Sequence, residues 1–332
     1  MMTAAINPRQ QALYTWLDKI CAVQPQHMRF LAGDASFRRY FRVQEGNTSK
    51  VVMDAPPQQE PCEGFIAIAQ AFKQLGLHVP EIFAVDLSQG FVLLGDFGDK
   101  LYSTVLTDEN AQSLYQCALQ ALTIIQTCPP IAHHPFTDFV GICQRDLQIC
   151  QQWFFSDLLA LSLSPVEQQL LHDTFQQLTD RLIQQPQVCI HRDYHSRNLL
   201  VLPDRQVGII DFQDAMWGPI TYDAVSLLRD CYIDWPKDKV KQWAEYFYQQ
   251  LNLSNCTWLQ FLFWFDMAGL QRHLKALGTF ARKCQRDGHR DYLAYVPRTL
   301  NYIMEVSADY QEFKFFREWM KRVVLPAWEK QL

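Results

Sequence analysis

The apolar positions divide this 332-residue chain into two unlike parts. In the first, short apolar runs alternate with polar ones. Tyr14-Trp-Leu-Asp-Lys-Ile20 predicts a short amphipathic helix. Phe37-Arg-Arg-Tyr-Phe-Arg-Val43 then partly alternates, with Phe37, Phe41 and Val43 on one face and Arg38 and Arg42 on the other. Gly46-Asn47 turns the chain into a second β-like run, Val51-Val-Met53, so the pair predicts a hairpin that Pro56-Pro57 ends. Phe65, Ile68, Phe72 and Leu75 fall at helical spacing, and Gly76 supplies a stop. Two more apolar runs follow, Ile82-Phe-Ala-Val85 and Phe91-Val-Leu-Leu94.

From about Tyr102 onward the spacing becomes helical. Helices are expected near 109–127, 138–160, 165–185, 221–232, 238–251, 257–284 and 309–330, and only Val188 to Phe212 looks like strands. The pattern predicts an α+β molecule, with a sheet-rich front (1–98) and a larger helical back (99–332) holding one small hairpin. Alternating βαβ units are missing, which argues against a Rossmann domain.

Composition supports a packed protein: 48% of residues are hydrophobic and 20% charged, which excludes disorder as a description of the whole. A net charge of −5 argues against a general binder of nucleic acid or anionic membrane. Gln260 and Asp266 interrupt the greasiest stretch, Trp258 to Asp266, well short of the ~20 apolar residues that span a bilayer. No secretory signal is visible in Met1 to Gln11, and none of the ten cysteines has metal-ligand spacing. A reducing, cytoplasmic setting is therefore expected, with the cysteines as small buried hydrophobes. His133-His134 is expected to be a loop feature. The aromatic fraction, 13%, raises carbohydrate stacking as an idea, but the stripe Trp258, Phe261, Trp264 and Phe265 has helical spacing and is expected to be core.

The chemistry is concentrated between Cys189 and Phe212. His191-Arg-Asp193 is followed by Asn198, then by a strand out (198–202), a turn (203–206) and a strand back (207–210) that ends at Asp211. Asn198 and Asp211 should thus lie side by side at the open end of a hairpin, with Asp193 on the loop before it. Two carboxylates and an amide carbonyl around one point suit Mg²⁺, a hard cation that shares its remaining positions with phosphates and water. Phosphoryl transfer needs such a metal, and a separate Asp to accept the attacking hydroxyl's proton. The string Asp96-Phe97-Gly98 imitates a kinase metal-binding motif but precedes Asp193 by almost a hundred residues. It suits the connector between the two parts, and Asp211-Phe-Gln213 is the proper counterpart.

On these residues the chain resembles the aminoglycoside phosphotransferase and choline kinase-like family, over about 27–300. His191 to Leu199, Ile210 to Ala215 and Gly218 to Tyr232 are similar to its branch of anomeric amino-sugar kinases of bacterial cell-wall recycling, as are Gly33 to Phe41 and Met53 to Pro57. The resemblance implies a bilobal protein-kinase-like fold. It also implies ATP and Mg²⁺ as cofactors and an amino-sugar acceptor, N-acetylmuramate or N-acetylglucosamine, phosphorylated at C1. It makes Asp193 the catalytic base, Asn198 and Asp211 the magnesium ligands, His191 a brace, and Asp223 the residue that holds the catalytic loop's backbone. Gly33 to Ser36 would cover the phosphates, and Asp96 and Phe97 would lie where adenine docks on backbone groups.

One departure from that family concerns phosphate binding. Kinases of this fold usually carry a Lys on the third strand, whereas this chain has Met53 or Asp54 there, and Lys50 is expected to face elsewhere. Arg38 or Arg42 is expected to supply the charge, since Arg can hold phosphate oxygens bidentately. The paired helix Glu is Glu60 or Glu63. For the acceptor, His195, Gln213, Asp214, Trp217, Arg229, Tyr232 and Trp235 are the candidates, with a Trp stacking on the ring and Asp214 or Arg229 binding hydroxyls or a carboxylate. Other acceptors, such as aminoglycosides or amino alcohols, and a nucleotide-binding scaffold without turnover remain alternatives. No obligate protein partner is expected.

Overall fold

The computed structural model describes residues 7–21, 27–33, 37–46, 48–131 and 138–331. Ser36, Asn47 and His133-His134 lie outside the described residues. The front of the molecule is a five-stranded antiparallel sheet between two helices. Helix α1 (Pro8–Cys21) is followed by β1 (Met28–Ala32), β2 (Arg39–Glu45), β3 (Thr48–Asp54), α2 (Glu63–Gln74), β4 (Ile82–Asp86) and β5 (Phe91–Gly95), and the strand order is β1-β2-β3-β5-β4. Alternation divides the faces, as the period of two demands. Phe41, Val43, Val52, Phe91 and Leu93 pack against Leu13, Trp16 and Leu17 of α1. Met53, Val92 and Leu94 face Phe65, Ile68 and Phe72 of α2.

The predicted hairpin forms, with Phe41 opposite Val52. Phe37, expected on its buried face, instead precedes β2 and is 60% exposed. Helix α2 stops where expected. Gly76 takes φ +80°, and Leu77 N–H reaches the Phe72 carbonyl at 3.1 Å, a closure that favours a residue without a side chain.

The back of the molecule is helical: α3 (Tyr102–Val105), α4 (Ala111–Ile125), α5 (Phe139–Ile149) and α6 (Pro165–Ile183), then α7 (Tyr222–Leu228), α8 (Lys237–Gln250), α9 (Trp258–Asp287), α10 (Val296–Asp309), α11 (Lys314–Trp319) and α12 (Leu325–Glu329). The 30-residue α9 is the spine, and α5, α6, α7 and α10 all pack on it. A π-helical extension of α5, Cys150–Leu158, crosses α9 so closely that a Cβ at Gly278 would fall 2.6 Å from the Cys150 nitrogen. Any larger residue there must separate the two elements. Of the predicted core stripe, Phe261 and Phe265 are fully buried, whereas Trp258 and Trp264 are half-buried.

Three expectations are revised. The helix expected over 221–232 ends at Leu228, where Arg229 leaves helical geometry (φ −115°, ψ 50°). The helix expected over 309–330 starts only at Lys314, after a 3-10 turn, and α10 was not anticipated. The back also holds a second strand pair besides the hairpin. In chain order the four strands are β6 (Gln187–Ile190), β7 (Leu199–Val201), β8 (Val207–Ile209) and β9 (Met216–Pro219), paired β6 with β9 and β7 with β8. Among the described residues no helix is long and apolar enough to cross a membrane.

Candidate active site

The segment His191–Asn198 leaves β6 and enters β7, and two buried carboxylates hold its backbone. Asp223, in the first turn of α7, accepts the N–H groups of His191 at 2.5 Å and Arg192 at 2.9 Å. Asp230 accepts those of Ser196 and Tyr232, both at 2.9 Å. Burial pushes the Asp223 carboxyl above its ordinary range despite the nearby His191 and the backbone donors. Arg192 is held at φ +79°, a left-handed backbone that a residue with so bulky a side chain adopts only under constraint.

His191 is fully buried, and its Nδ1 accepts the Asp193 N–H at 3.3 Å. Its Nε2 must then carry the proton and donate to the Ile210 carbonyl at 3.0 Å, so a neutral ring ties the loop to the hairpin's exit. Asn198 donates through Nδ2 to the Asp193 main-chain carbonyl at 2.9 Å and to Asp211 Oδ2 at 3.2 Å. Asp211 is exposed at φ +63°, and Gln213 Nε2 donates to its Oδ1 at 2.9 Å. Asp193, Asn198 and Asp211 are therefore gathered as their spacing predicts.

The surroundings of Asp193 were not foreseen. Two cations reach it from α9: Lys275 Nζ at 2.9 Å from Oδ1, and Arg272 Nη2 at 3.9 Å. Arg272 also donates to the Arg192 carbonyl at 2.5 Å and lies over the Tyr222 ring. Burial alone would raise the Asp193 carboxyl, but Lys275 and Arg272 hold it far below the usual carboxylate range. The available signal was a pair of cations three residues apart, on one face of the largely buried middle of α9.

On the sheet side, Arg38 pairs with Glu60 at 3.1 Å. Tyr40, beside this pair, has its phenol pushed up by burial and by the Asp211 carboxylate, so strand β2 and the hairpin's mouth share one electrostatic environment. Arg42 is committed differently: it forks onto Asp96 and Asp99. Asp96 also accepts from Ser49 and the Gly98 N–H. Lys50 turns to Glu45 at 2.6 Å, and the fully buried Asp54 is held by Arg9 and Arg39. Phe97 lies against Gly208 of β8, where a Cβ would come within 2.8 Å of its ring. Gly33 sits against the Arg38 carbonyl.

The expected acceptor residues divide. His195, next to Asp193, meets Tyr232 edge-on at 5.2 Å, and burial lowers its imidazole's pKa. Trp217 lies on β9 opposite Cys189, half-buried, and Asp214 is exposed. Two residues are committed away from the loop. Trp235 donates to the Tyr115 hydroxyl at 2.8 Å and packs on Trp243, between α4 and α8. Arg229 pairs with the buried Asp266 at 2.7 Å under α9.

This pairing of Asn198 and Asp211 at the hairpin's mouth, next to the Asp193 loop, accompanies a match to the model of the phosphotransferase enzyme family, over residues 27–262. The chain belongs to that family. It is a phosphotransferase with a protein-kinase-like fold. A Pseudomonas putida relative, an N-acetylmuramate/N-acetylglucosamine kinase, is 38% identical over 312 residues, covering 90% of this chain and 91% of the relative. Choline kinase LicA from Streptococcus pneumoniae superposes with a TM-score of 0.60 at 12% identity, over 92% of this chain and all of that one. ADP-bound aminoglycoside phosphotransferase APH(2'')-Ib gives 0.57 at 14% identity, over 89% of this chain and 98% of that one.

Proposed function

We propose that this phosphotransferase moves the γ-phosphoryl group of ATP to the C1 hydroxyl of N-acetylmuramate or N-acetylglucosamine. The observation that carries the reading is the Asp193 loop beside the Asn198–Asp211 pair: Asn198 ties the Asp193 main-chain carbonyl to Asp211, and two buried aspartates hold the loop's backbone. Asp193 orients the sugar hydroxyl and takes its proton. Residues 1–98 form the nucleotide lobe and 99–332 the acceptor lobe. The names of the curated relatives supply the acceptor.

A metal fits this site on its donor chemistry. Among the described residues no three His, Cys, Asp or Glu side chains could hold a metal by themselves. Asp211 and the Asn198 amide oxygen would instead hold Mg²⁺ together with phosphate oxygens and water, which is how that ion is usually bound. It would neutralise charge on the phosphates. His191 and Asp223 keep the loop in register, while His195 and Tyr232, in contact with each other, would face the acceptor together with Gln213, Asp214 and Trp217. An acceptor bearing several positive charges is disfavoured, because Lys275 and Arg272 flank the same carboxylate.

Phosphorus NMR of the product from ATP, Mg²⁺ and each sugar tests the reading. An anomeric phosphate is expected; a 6-phosphate, or no product with either sugar, overturns it.

Arg38, braced by Glu60 just before strand β2, stands in for the absent strand Lys. Arg38→Ala is expected to raise the KM for ATP about 10- to 100-fold, the loss that one charged hydrogen bond entails. Arg42→Ala should leave that KM within about twofold and lower the melting temperature instead, since it breaks the clasp between β2 and the connector. Steady-state kinetics on both variants decides between the two arginines.

A further inference from the structure

Among the described residues, five cations come from the loop or from α7 to α9 around it, and most are already engaged. Arg192 faces Asp146 at 3.7 Å, and Arg229 is paired with Asp266. Arg197 is stacked over Tyr232 at 3.8 Å and donates to the Tyr295 hydroxyl. Arg272 and Lys275 differ. As buried as Arg192 and Arg229, they alone of the five approach the carboxylate on which the acceptor hydroxyl must sit. Lys275 has three N–H donors, of which one meets Asp193 Oδ1. Arg272 Nη2 is 3.9 Å from Asp193, too far for a hydrogen bond, while Nη1 anchors the side chain on the Arg192 carbonyl.

We infer that Lys275, backed by Arg272, is the subsite for a carboxylate on the acceptor sugar, which makes α9 the element that distinguishes acidic from neutral amino sugars. The inference rests on the function proposed above and adds a specificity determinant to it. N-acetylmuramate is N-acetylglucosamine with a lactyl ether, and so differs by one carboxylate. A hydroxyl within about 3 Å of Asp193 brings the substituents of its own ring to the Lys275 ammonium. With a neutral sugar, Asp193 remains the counter-ion of Lys275, so the cation is never left unpaired in a half-buried place. With the acidic sugar, the free donors of Lys275 take the carboxylate in a charge-assisted bond. This arrangement serves both acceptors with one site. It also replaces Arg229 as the carboxylate ligand, since Asp266 holds that residue.

The test compares kcat/KM for the two sugars. Lys275→Met should lower the value for N-acetylmuramate about 10- to 100-fold more than the value for N-acetylglucosamine, with the KM for ATP little changed. Lys275→Arg should restore most of the preference. A parallel measurement needs no variant: the methyl ester of N-acetylmuramate, its charge capped, should lose the same factor on the unaltered protein, and Lys275→Met should not distinguish ester from acid. Equal losses for both sugars, or an ester used as well as the acid, overturn the subsite and leave the proposed function standing. If the unaltered protein phosphorylates neither sugar, the function falls and the subsite with it.

Discussion

Replacing Asp193 by Asn is expected to lower kcat by roughly 10²–10⁴ while the dissociation constant for Mg·ATP stays within about threefold. The separation of effects follows from which atoms are used. Asn198 is anchored on the Asp193 main-chain carbonyl, not on its carboxylate, so the side-chain change leaves Asn198 and Asp211 where they are. The new amide oxygen can still accept from Lys275, so the half-buried ammonium keeps a partner and the fold is retained. What disappears is the anion that orients and deprotonates the sugar hydroxyl. Because phosphoryl transfer passes through a loose transition state, orientation is the larger part of that task, and a strongly acidic carboxyl can still perform it. Asp193→Ala should add a stability loss, since it leaves Lys275 with no acceptor in the site. Single-turnover kinetics with separate nucleotide titration checks both quantities. Wild-type kcat in the Asn variant would remove Asp193 from the chemistry, and loss of nucleotide binding would show that the loop had moved.

How much of this could be seen in the chain depended on sequence distance. Asp193, Asn198 and Asp211 fall within nineteen residues and one hairpin, so local chain geometry alone brings them together. Lys275 meets Asp193 across 82 residues, and only the packing of α9 against the loop creates that contact. Residues Arg229 and Trp235 find other partners for the complementary reason. They are near the loop in sequence, but α7 ends at Leu228 and the chain then turns them towards Asp266 and Tyr115.

The fold shows the same division. Strands β2 and β3, with partial alternation in the first, an apolar run in the second and a turn between them, were legible, as were α2 and α9. Strand β9, Met216-Trp-Gly-Pro219, carries two residues disfavoured in strands and pairs with β6 only because the tertiary fold brings them together. Helix α10 did have a signal: Leu300, Ile303 and Val306 are buried at three-residue spacing. Its Pro297 lies in the first turn, where a missing N–H costs nothing, and so it marks a helix start and not a break.

The second large effect is expected far from any reacting atom, at Asp223. Asp223→Ala removes the acceptor of two buried N–H groups, those of His191 and Arg192. Each orphaned donor costs about 1–3 kcal/mol, so the two together correspond to a melting-temperature decrease of roughly 4–24 °C for the helical lobe. Catalysis should decline by at least about 10²-fold, the usual result of a 1 Å misplacement of a catalytic group. The reason is that Arg192 is held in a left-handed backbone whose strain of about 1–3 kcal/mol must be balanced by its surroundings. Without Asp223 the segment can relax, and Asp193, the next residue, turns with it. Asp223→Asn should be no milder in kind, because its amide nitrogen opposes one backbone donor with another. The distinguishing measurement is the KM for ATP against kcat: a loop that has shifted lowers kcat with nucleotide affinity largely kept, since the sheet-side residues Arg38 and Glu60 are untouched. If kcat persists at the wild-type value in a variant with a lowered melting point, Asp223 stabilises the lobe without positioning Asp193.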